Sequence, residues 1–572
     1  MRIINNIKSN QPIASLPSRT YARWFASKRS GDASPSVPAG GKQANERHSD
    51  NASKRLTSLI NQVHKCPTAA IDRNLYRILC DPQFLTRAYL NIKSKPGNMT
   101  PGIVPETLDG MSHQVLVQMA SELKTATFRF KPGRRVSIPK RSGGSRPITV
   151  APPRDKIVQE AIRMILEAIY EPTFSSNSHG FRVGKSPHTA LRQTLQQFQP
   201  ATWIIEGDFA KCFDSIPHDR LMQVLEEKIR DRQFTNLIAK SLGAGYMQFR
   251  RFASDIVGTP QGSIISPILA NIYLHQVDVF VEDLKRAFDR GTRAKNTKEA
   301  ERLMRQLTAA QMADNVREAA RLRKLVQSQP VMDYHDTSYR RLVYIRYADD
   351  WLIGVRGSYA EASEIRDKVC AFCKDKLGLT VHQEKTKITN IIRERAVFLG
   401  VEVFRSKVVK YSRVKRKGEI KPYKQRQNRK LVAAANLDRI RSKLISCGFL
   451  SDRDLPTPRF LWLHLQHRHI LHMYNSVMRG YLNYYSFALN YSTVARWLRW
   501  VMYTSAAKLL SAKFKRSVRA TFLKFGRTLK DPHSQSEMFR PRTRYTGEFN
   551  IKAVSTISGL YAGYKSVATL DG

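Results

Sequence analysis

With 572 residues, 42% of them hydrophobic, the chain is long enough for a sizeable core and about three or four domains, and too apolar for a disordered polymer. Its 96 Lys plus Arg against 47 Asp plus Glu give a formal charge of +49, an imbalance that calls for a polyanion, with nucleic acid ahead of a membrane surface. No hydrophobic run approaches the ~18 residues of a spanning helix, and the few scattered cysteines imply no disulfide framework.

Residues 1 to 31 carry Arg2, Lys8, Arg19, Arg23, Lys28 and Arg29, five serines and no acid before Asp32. That is the composition of an amphipathic import presequence or of a basic tail. Residues 32–55 are rich in Ser, Gly, Pro and charge and read as a linker. Helical patterning runs from Leu56 through Leu90, and KSKPGNMTPG then reads as an ordered loop. RFKPGRRVSIPKRSGGSRPITV predicts two strands around Gly143-Gly144, gathering Arg134, Arg135, Lys140, Arg141 and Arg146. Such a cluster suits either a lid over a triphosphate or a solvated basic hairpin. Asp155 is positioned to cap a helix that Pro172 ends. In the basic loop SHGFRVGKSPH, His179 and His188 read as structural or phosphate-contacting rather than catalytic.

WIIEGDFAKCFDSIPHDRL predicts a strand over Trp203 to Ile205 with Asp208 just past its end. Phe213 then packs either under a bound sugar, excluding a 2′-hydroxyl, or in a plain core, while Asp214 and Asp219 cap or pair locally. In GTPQGSIISPILANIYL, Gly258 and Gly262 allow the backbone close to a base or sugar. Lys285 to Val326 reads as an exposed inserted helix. YIRYADDWLIGV follows, with strands at Leu342–Tyr347 and Trp351–Val355 joined by Ala348-Asp349-Asp350. Two acids at a hairpin tip invite a hard divalent cation. Alone, YADD is equally a surface turn with two solvated acids; a third carboxylate, Asp208, favours the metal reading.

Cys370 and Cys373 form one CxxC on the buried face of a helix and read as core thiols, since no second pair follows at ligand spacing. Lys385, after the strand of LGLTVHQEKTKI, is positioned either to protonate a departing pyrophosphate or to pair with Glu384. From about Lys407 the chain turns basic, with helix candidates at Leu431–Ile445, Phe460–Phe487 and Thr493–Val518, where Arg and Lys alternate with Tyr and Trp as RNA binding requires. His464, His467, His469 and His472 have no acid or thiol at ligand spacing and read as RNA-contacting or exposed.

The ordered blocks PGNMTPG, RRVSIPK with SRPI, SHGFRVGKS, GDFAKCFDSI, GTPQGSIISPILANIYL, RRLVYIRYADDWLIGV, EKTKI, FLG and GYLNYYS resemble the group II intron-encoded reverse transcriptases, or maturases, of mitochondrial type. The resemblance runs from about Leu75 to at least Val518. It implies an α+β right-hand polymerase: 1–55 presequence and linker; 56–200 amino-terminal extension and fingers; 201–405 palm with a helical insertion at about 285–335; 406–520 thumb and X domain; 521–572 a short DNA-binding-like remnant without an endonuclease domain. By the same resemblance Asp208, Asp349 and Asp350 bind two Mg²⁺ or Mn²⁺, and Lys140 and Arg146 contact the incoming dNTP. Phe213 is the sugar gate, Gln261 and Gly262 position nucleotide and template, Lys385 is the general acid, and Leu399-Gly400 belongs to the primer grip. The partners implied are group II intron RNA and a DNA primer or target, with no membrane, in the mitochondrion. The sequence departs from the family at His179, at Val183-Gly184-Lys185 and at Ser263, and no departure removes a metal ligand. The competing expectation is a non-catalytic RNA-binding splicing factor with a vestigial polymerase fold.

Overall fold

The computed structural model describes residues 55–549 apart from 73, 140–143, 249–250, 254–257, 260, 330, 334–335, 383–385, 407–410, 415–422, 427–428 and 544–546. The expected presequence, Lys140 and Lys385 lie outside the described residues.

The amino-terminal helical pattern is broken where Asp81 caps α1 (Pro82–Lys93), its carboxylate accepting from Gln83 N at 2.8 Å with Pro82 in the first turn. β1 (Gly133–Pro139) and β2 (Ser145–Val150) pair antiparallel and lead into α2 (Pro153–Tyr170), which is buried on most of its circumference. Pro152, not Asp155, stands at the N-cap of α2. Asp155 lies in the first turn and accepts instead from Lys131 N at 2.9 Å; burial pushes its carboxyl up to about 7 against that hydrogen bond. β3 (Ser178–His179) and α3 (Pro187–Gln197) precede β4 (Trp203–Asp208). β5 (Tyr246–Gln248) and β6 (Arg251–Ala253) then join the first hairpin in a sheet of order β2-β1-β5-β6.

The second sheet carries the acids. α4 (Ser266–Phe288) is followed by a helical hairpin, α5 (Lys298–Met312) and α6 (Val316–Ser328), where the sequence predicts one exposed helix. Asp314 at φ 48 turns the chain and Asn315 caps α6, accepting from Glu318 N at 3.1 Å, so a polar Asp-Asn pair splits the pattern in two. Bridges Arg290↔Arg340 and Asn296↔Met332 close the base of this hairpin. β7 (Arg341–Tyr347), β8 (Asp350–Arg356), α7 (Tyr359–Asp375) and β9 (Lys387–Asn390) complete a five-stranded sheet of order β3-β7-β8-β4-β9.

Its side chains alternate between two covers, as the two-residue period of a strand requires. Ile204, Ile345 and Leu352 enter a core shared with α3 and the C-terminal helices, while Tyr344 and Arg346 reach Asp278 on α4. β10 (Ala396–Phe398), β11 (Val401–Arg405), β12 (Tyr411–Val414), β13 (Tyr423–Arg426) and β14 (Leu431–Ala435) follow. The expected helix from Leu431 is therefore in part a strand: LVAAA pairs antiparallel with Val401–Arg405, and only beyond the cap residue Asn436 does α8 (Leu437–Ser446) begin. Long-range pairing has overridden alanine's local preference.

α9 (His467–Tyr484) and α10 (Tyr491–Lys513) pack together in that shared core. The segment expected to form a separate remnant after 520 buries Leu529 and Met538 there too, and Phe549 stacks on Phe487 at 4.8 Å.

Gly207 is dictated by this packing. An added Cβ would stand 2.1 Å from the indole of Trp351, its buried cross-strand partner. Gly207→Ala should therefore destabilise the protein by about 1–3 kcal/mol or more through overpacking, read as a lower denaturation midpoint. An unchanged midpoint would mean that the indole moves freely aside.

Candidate active site

Asp208 is the last residue of β4 and Asp350 the first of β8, and the antiparallel register sets them directly opposite one another. Across such a ladder the Cβ atoms lie about 4.5–5.5 Å apart. The turn is one residue shorter than the sequence predicts: Tyr347 pairs with Asp350, so only Ala348 and Asp349 connect the strands. Ala348 takes φ 55, the left-handed first position that a tight two-residue hairpin needs. All three acids are half-buried. Burial first, then the charge of Asp349 and, against the lowering effect of Arg346, that of Asp208 push the thiol of Cys212 up. Among the described residues no three His, Cys, Asp or Glu side chains close tightly enough to hold a metal ion. The donor types fit a hard divalent cation: two acids face each other across a ladder and a third sits on the adjoining turn.

A buried ion pair lies under that turn. Arg346, one residue before the end of β7, is fully buried and makes a two-pronged contact with fully buried Asp278 of α4, both arms at 2.7 Å. The same guanidinium donates to Ala348 O at 2.9 Å, Ser178 Oγ at 2.9 Å and Asn271 Oδ1 at 3.2 Å. Tyr344 adds a 2.8 Å hydrogen bond to Asp278. Burial alone would raise the Asp278 carboxyl, but the Arg346 charge and the hydrogen bonds from Arg346 and Tyr344 outweigh it and hold the pKa down at about 2. From the other side His179 O accepts from Ala348 N at 3.0 Å, and Gly180 presses so close that a Cβ would meet that nitrogen at 2.7 Å.

Of the remaining predicted residues, Phe213 and Gln261 are tied together through Asp214 and Thr259, and Gln261 is tied to β2. After β4 a single helical turn, Cys212–Ser215, carries Phe213, whose carbonyl accepts from Thr259 N at 2.6 Å. Two residues on, Gln261 donates from Nε2 to Asp214 at 3.2 Å, and its carbonyl accepts from Thr149 N of β2 at 2.7 Å. Gly258 (φ 104) and Gly262 (φ 106) are expected to admit a ligand, but the space a Cβ would need is already taken by protein: the Asp214 backbone at 2.8 Å, and Thr149 O and Ile148 at 2.7 Å. Arg146 is exposed on β2 opposite Ile138. Arg135 lies over the Tyr246 ring at 4.0 Å and, with Thr149, Asp214 and Gln261, lines a cavity of only about 40 Å³.

His179 and His188 are structural. The His179 ring meets Thr189 Oγ1 at 3.0 Å and Gln193 Oε1 at 2.9 Å; burial, then the charge of Lys185, pushes it down to about 4. His188 is buried edge-on against Tyr484 and Phe487. Cys373 is buried on α7 and Cys370 half-buried. His467, buried, meets Leu529 O at 3.0 Å, so it belongs to the core rather than to an RNA face. Sequence reasoning missed Arg346, Asp278 and Phe181. The signal for the first two was a single charge inside an apolar strand and another inside an apolar helical run.

Two family models match the chain: reverse transcriptase (RNA-dependent DNA polymerase) over residues 138–298, and type II intron maturase over residues 428–557. It is 41% identical over 542 residues to the "Uncharacterized 91 kDa protein in cob intron" of Schizosaccharomyces pombe, covering 91% of this chain and 66% of that protein. With the "Putative COX1/OXI3 intron 1 protein" of Saccharomyces cerevisiae the identity is 37%, over 80% of this chain and 55% of that protein. With the "Group II intron-encoded protein LtrA" of Lactococcus lactis subsp. cremoris it is 34%, over 82% and 80%. The chain thus spans between half and two thirds of the length of the two yeast relatives.

Removing one partner of the buried pair leaves an uncompensated charge, so Asp278→Asn should cost about 3–5 kcal/mol in chemical denaturation. The pH dependence follows from the depressed carboxyl: its stabilisation is present in full above the unfolded carboxylate range of about 4 and is lost as pH falls towards 2. The parent protein should lose stability across that acid limb more steeply than the variant. Equal limbs would mean that Asp278 is not charged in the fold.

Proposed function

Because the chain belongs to the group II intron-encoded proteins that combine reverse transcriptase and maturase regions, we propose that it is an RNA-directed DNA polymerase that also binds its intron RNA and promotes splicing. The observation that carries the polymerase half is the β4–β8 register with Asp208 opposite Asp350 and Asp349 on the adjoining turn. Two Mg²⁺, or Mn²⁺, held by Asp208, Asp349 and Asp350 would stabilise the attacking primer 3′-oxygen and the departing pyrophosphate. Arg146, exposed on β2, binds the triphosphate of the incoming dNTP together with Lys140. Phe213 lies under the sugar and excludes a 2′-hydroxyl. Gln261 and Gly262 shelve the nascent pair through their link to β2, and Lys385 protonates the pyrophosphate.

The maturase half rests on charge and aromatic exposure. Trp500 on α10 is 47% exposed and Phe460 60%, and both stand among Arg and Lys of the C-terminal region. Basic groups hold phosphates while such rings stack on unpaired bases. Favouring the splicing-competent RNA conformation is then a matter of differential affinity, and splicing itself stays RNA chemistry. The cob and COX1 introns that name the yeast relatives support a mitochondrial site of action.

Primer extension on an RNA template separates this reading from an RNA-binding splicing factor with a vestigial polymerase fold. The parent protein should extend a DNA primer with dNTPs and Mg²⁺, and Asp349→Ala with Asp350→Ala should abolish extension while intron RNA is still bound. A parent protein that fails to extend with Mg²⁺ or Mn²⁺ would contradict the polymerase half.

A further inference from the structure

Phe181 is the one large aromatic side chain among the described residues held at a left-handed backbone angle, φ 55, directly after Gly180 at φ 85. A bulky residue is an outlier there, and such a conformation persists only where its surroundings impose it. Here they do. Gly180 abuts Ala348 N, its carbonyl accepts from Asn271 Nδ2 at 3.0 Å, and on the other side Arg182 is pinned by Glu171 and by the carbonyls of Ser175 and Ser178 at 2.6 and 2.8 Å. The clamped turn aims the half-buried Phe181 ring at Phe213, edge to face, with centroids 6.2 Å apart and planes at 81°. That is the favoured geometry for an aromatic pair.

One turn therefore touches both the acid-bearing hairpin, through Gly180 and His179, and the Phe213 ring, through Phe181. Phe213 itself sits on a single helical turn, entered through Lys211 at φ 50, and its carbonyl is tied to Thr259. Its backbone is thus fixed, and the T-shaped contact with the Phe181 ring is the aromatic contact that orients its ring.

Resting on the reading of Phe213 as the sugar gate, we propose that Phe181 is a positioning residue for that gate: its ring, held by the strained Gly180-Phe181 turn, sets where the Phe213 ring stands and hence how strongly a ribonucleotide is rejected. A sugar gate works by exclusion, so its selectivity depends on the ring staying put when the extra hydroxyl presses on it. Without its brace the ring tilts and the ribonucleotide fits.

The test is single-nucleotide incorporation by the full chain on an RNA template and DNA primer, comparing kcat/KM for dCTP and CTP. Phe181→Leu should lower the dCTP-over-CTP ratio by on the order of tenfold, within the range that small steric differences in a pocket produce. The change should lie in a lower KM for CTP rather than in kcat for dCTP, and Phe181→Tyr, which keeps the aromatic ring, should restore the parent ratio. Phe181→Gly relieves the left-handed backbone while deleting the ring, so it should lower the ratio equally if the leucine variant does not fold. If Phe213→Ala loses discrimination while Phe181→Leu and Phe181→Gly keep it, the brace is wrong and the gate stands. If Phe213→Ala also keeps it, the gate reading falls, and the brace with it. An equal loss of kcat for both nucleotides, with discrimination intact, assigns Phe181 a purely structural part and overturns the proposal.

Discussion

Arg346 and Asp278 meet in full burial beneath the Ala348–Asp349 turn, and the rest of the candidate site is arranged around that pair. An ion pair out of water is costly unless its remaining donors and acceptors are also satisfied. Here the guanidinium donates to the turn carbonyl, to β3 through Ser178 and to α4 through Asn271 as well as to Asp278. What the pair gains is positional. It ties the hairpin tip to the helix packed behind the sheet, so the backbone that bears Asp349 has one place to be.

The second constraint is that the apolar core under this sheet continues into the C-terminal helices. Ile204, Ile345 and Leu352 share a core with Ala190 and Leu191 of α3, with β11 and β14, and with Leu471, Leu498 and Met502 of the C-terminal helices. Tyr484 of α9 donates to Leu399 O at 2.5 Å, holding the β10–β11 turn that the family resemblance assigns to the primer grip. A region rich in basic and aromatic side chains is therefore built onto the same apolar layer as the acid-bearing strands. Packed interiors transmit displacement rather than absorb it.

Much of this is written locally in the chain, and the parts that are not have identifiable causes. The YADD hairpin is legible from its β-branched flanks, yet its turn is one residue shorter than it reads, because Ala348 adopts a positive φ that composition does not announce. Leu431–Ala435 reads as helix since alanine favours one; its strand character comes from β11, some thirty residues earlier in the chain. The glycines of the PQG segment signal a close approach correctly, but what approaches is β2 and the Asp214 backbone. Arg346 and Asp278 are 68 positions apart, and no spacing rule joins them. Phe181 is legible only as part of a block; its angle and its contact with Phe213 exist only in the fold.

Strands β4 and β8 set Asp208 opposite Asp350, with Asp349 on the adjoining turn, and whether the three share metal ions is what a metal titration reads directly. Mn²⁺ binding to the full chain, followed by electron paramagnetic resonance with RNA template, DNA primer and a non-hydrolysable dNTP present, should show tight sites in the parent protein. Asp208→Asn and Asp350→Asn should each remove them if, as proposed, each strand supplies a ligand to the same ions. Unaltered Mn²⁺ affinity in Asp208→Asn would contradict the account, because the β4 acid would then stand apart from the hairpin it faces.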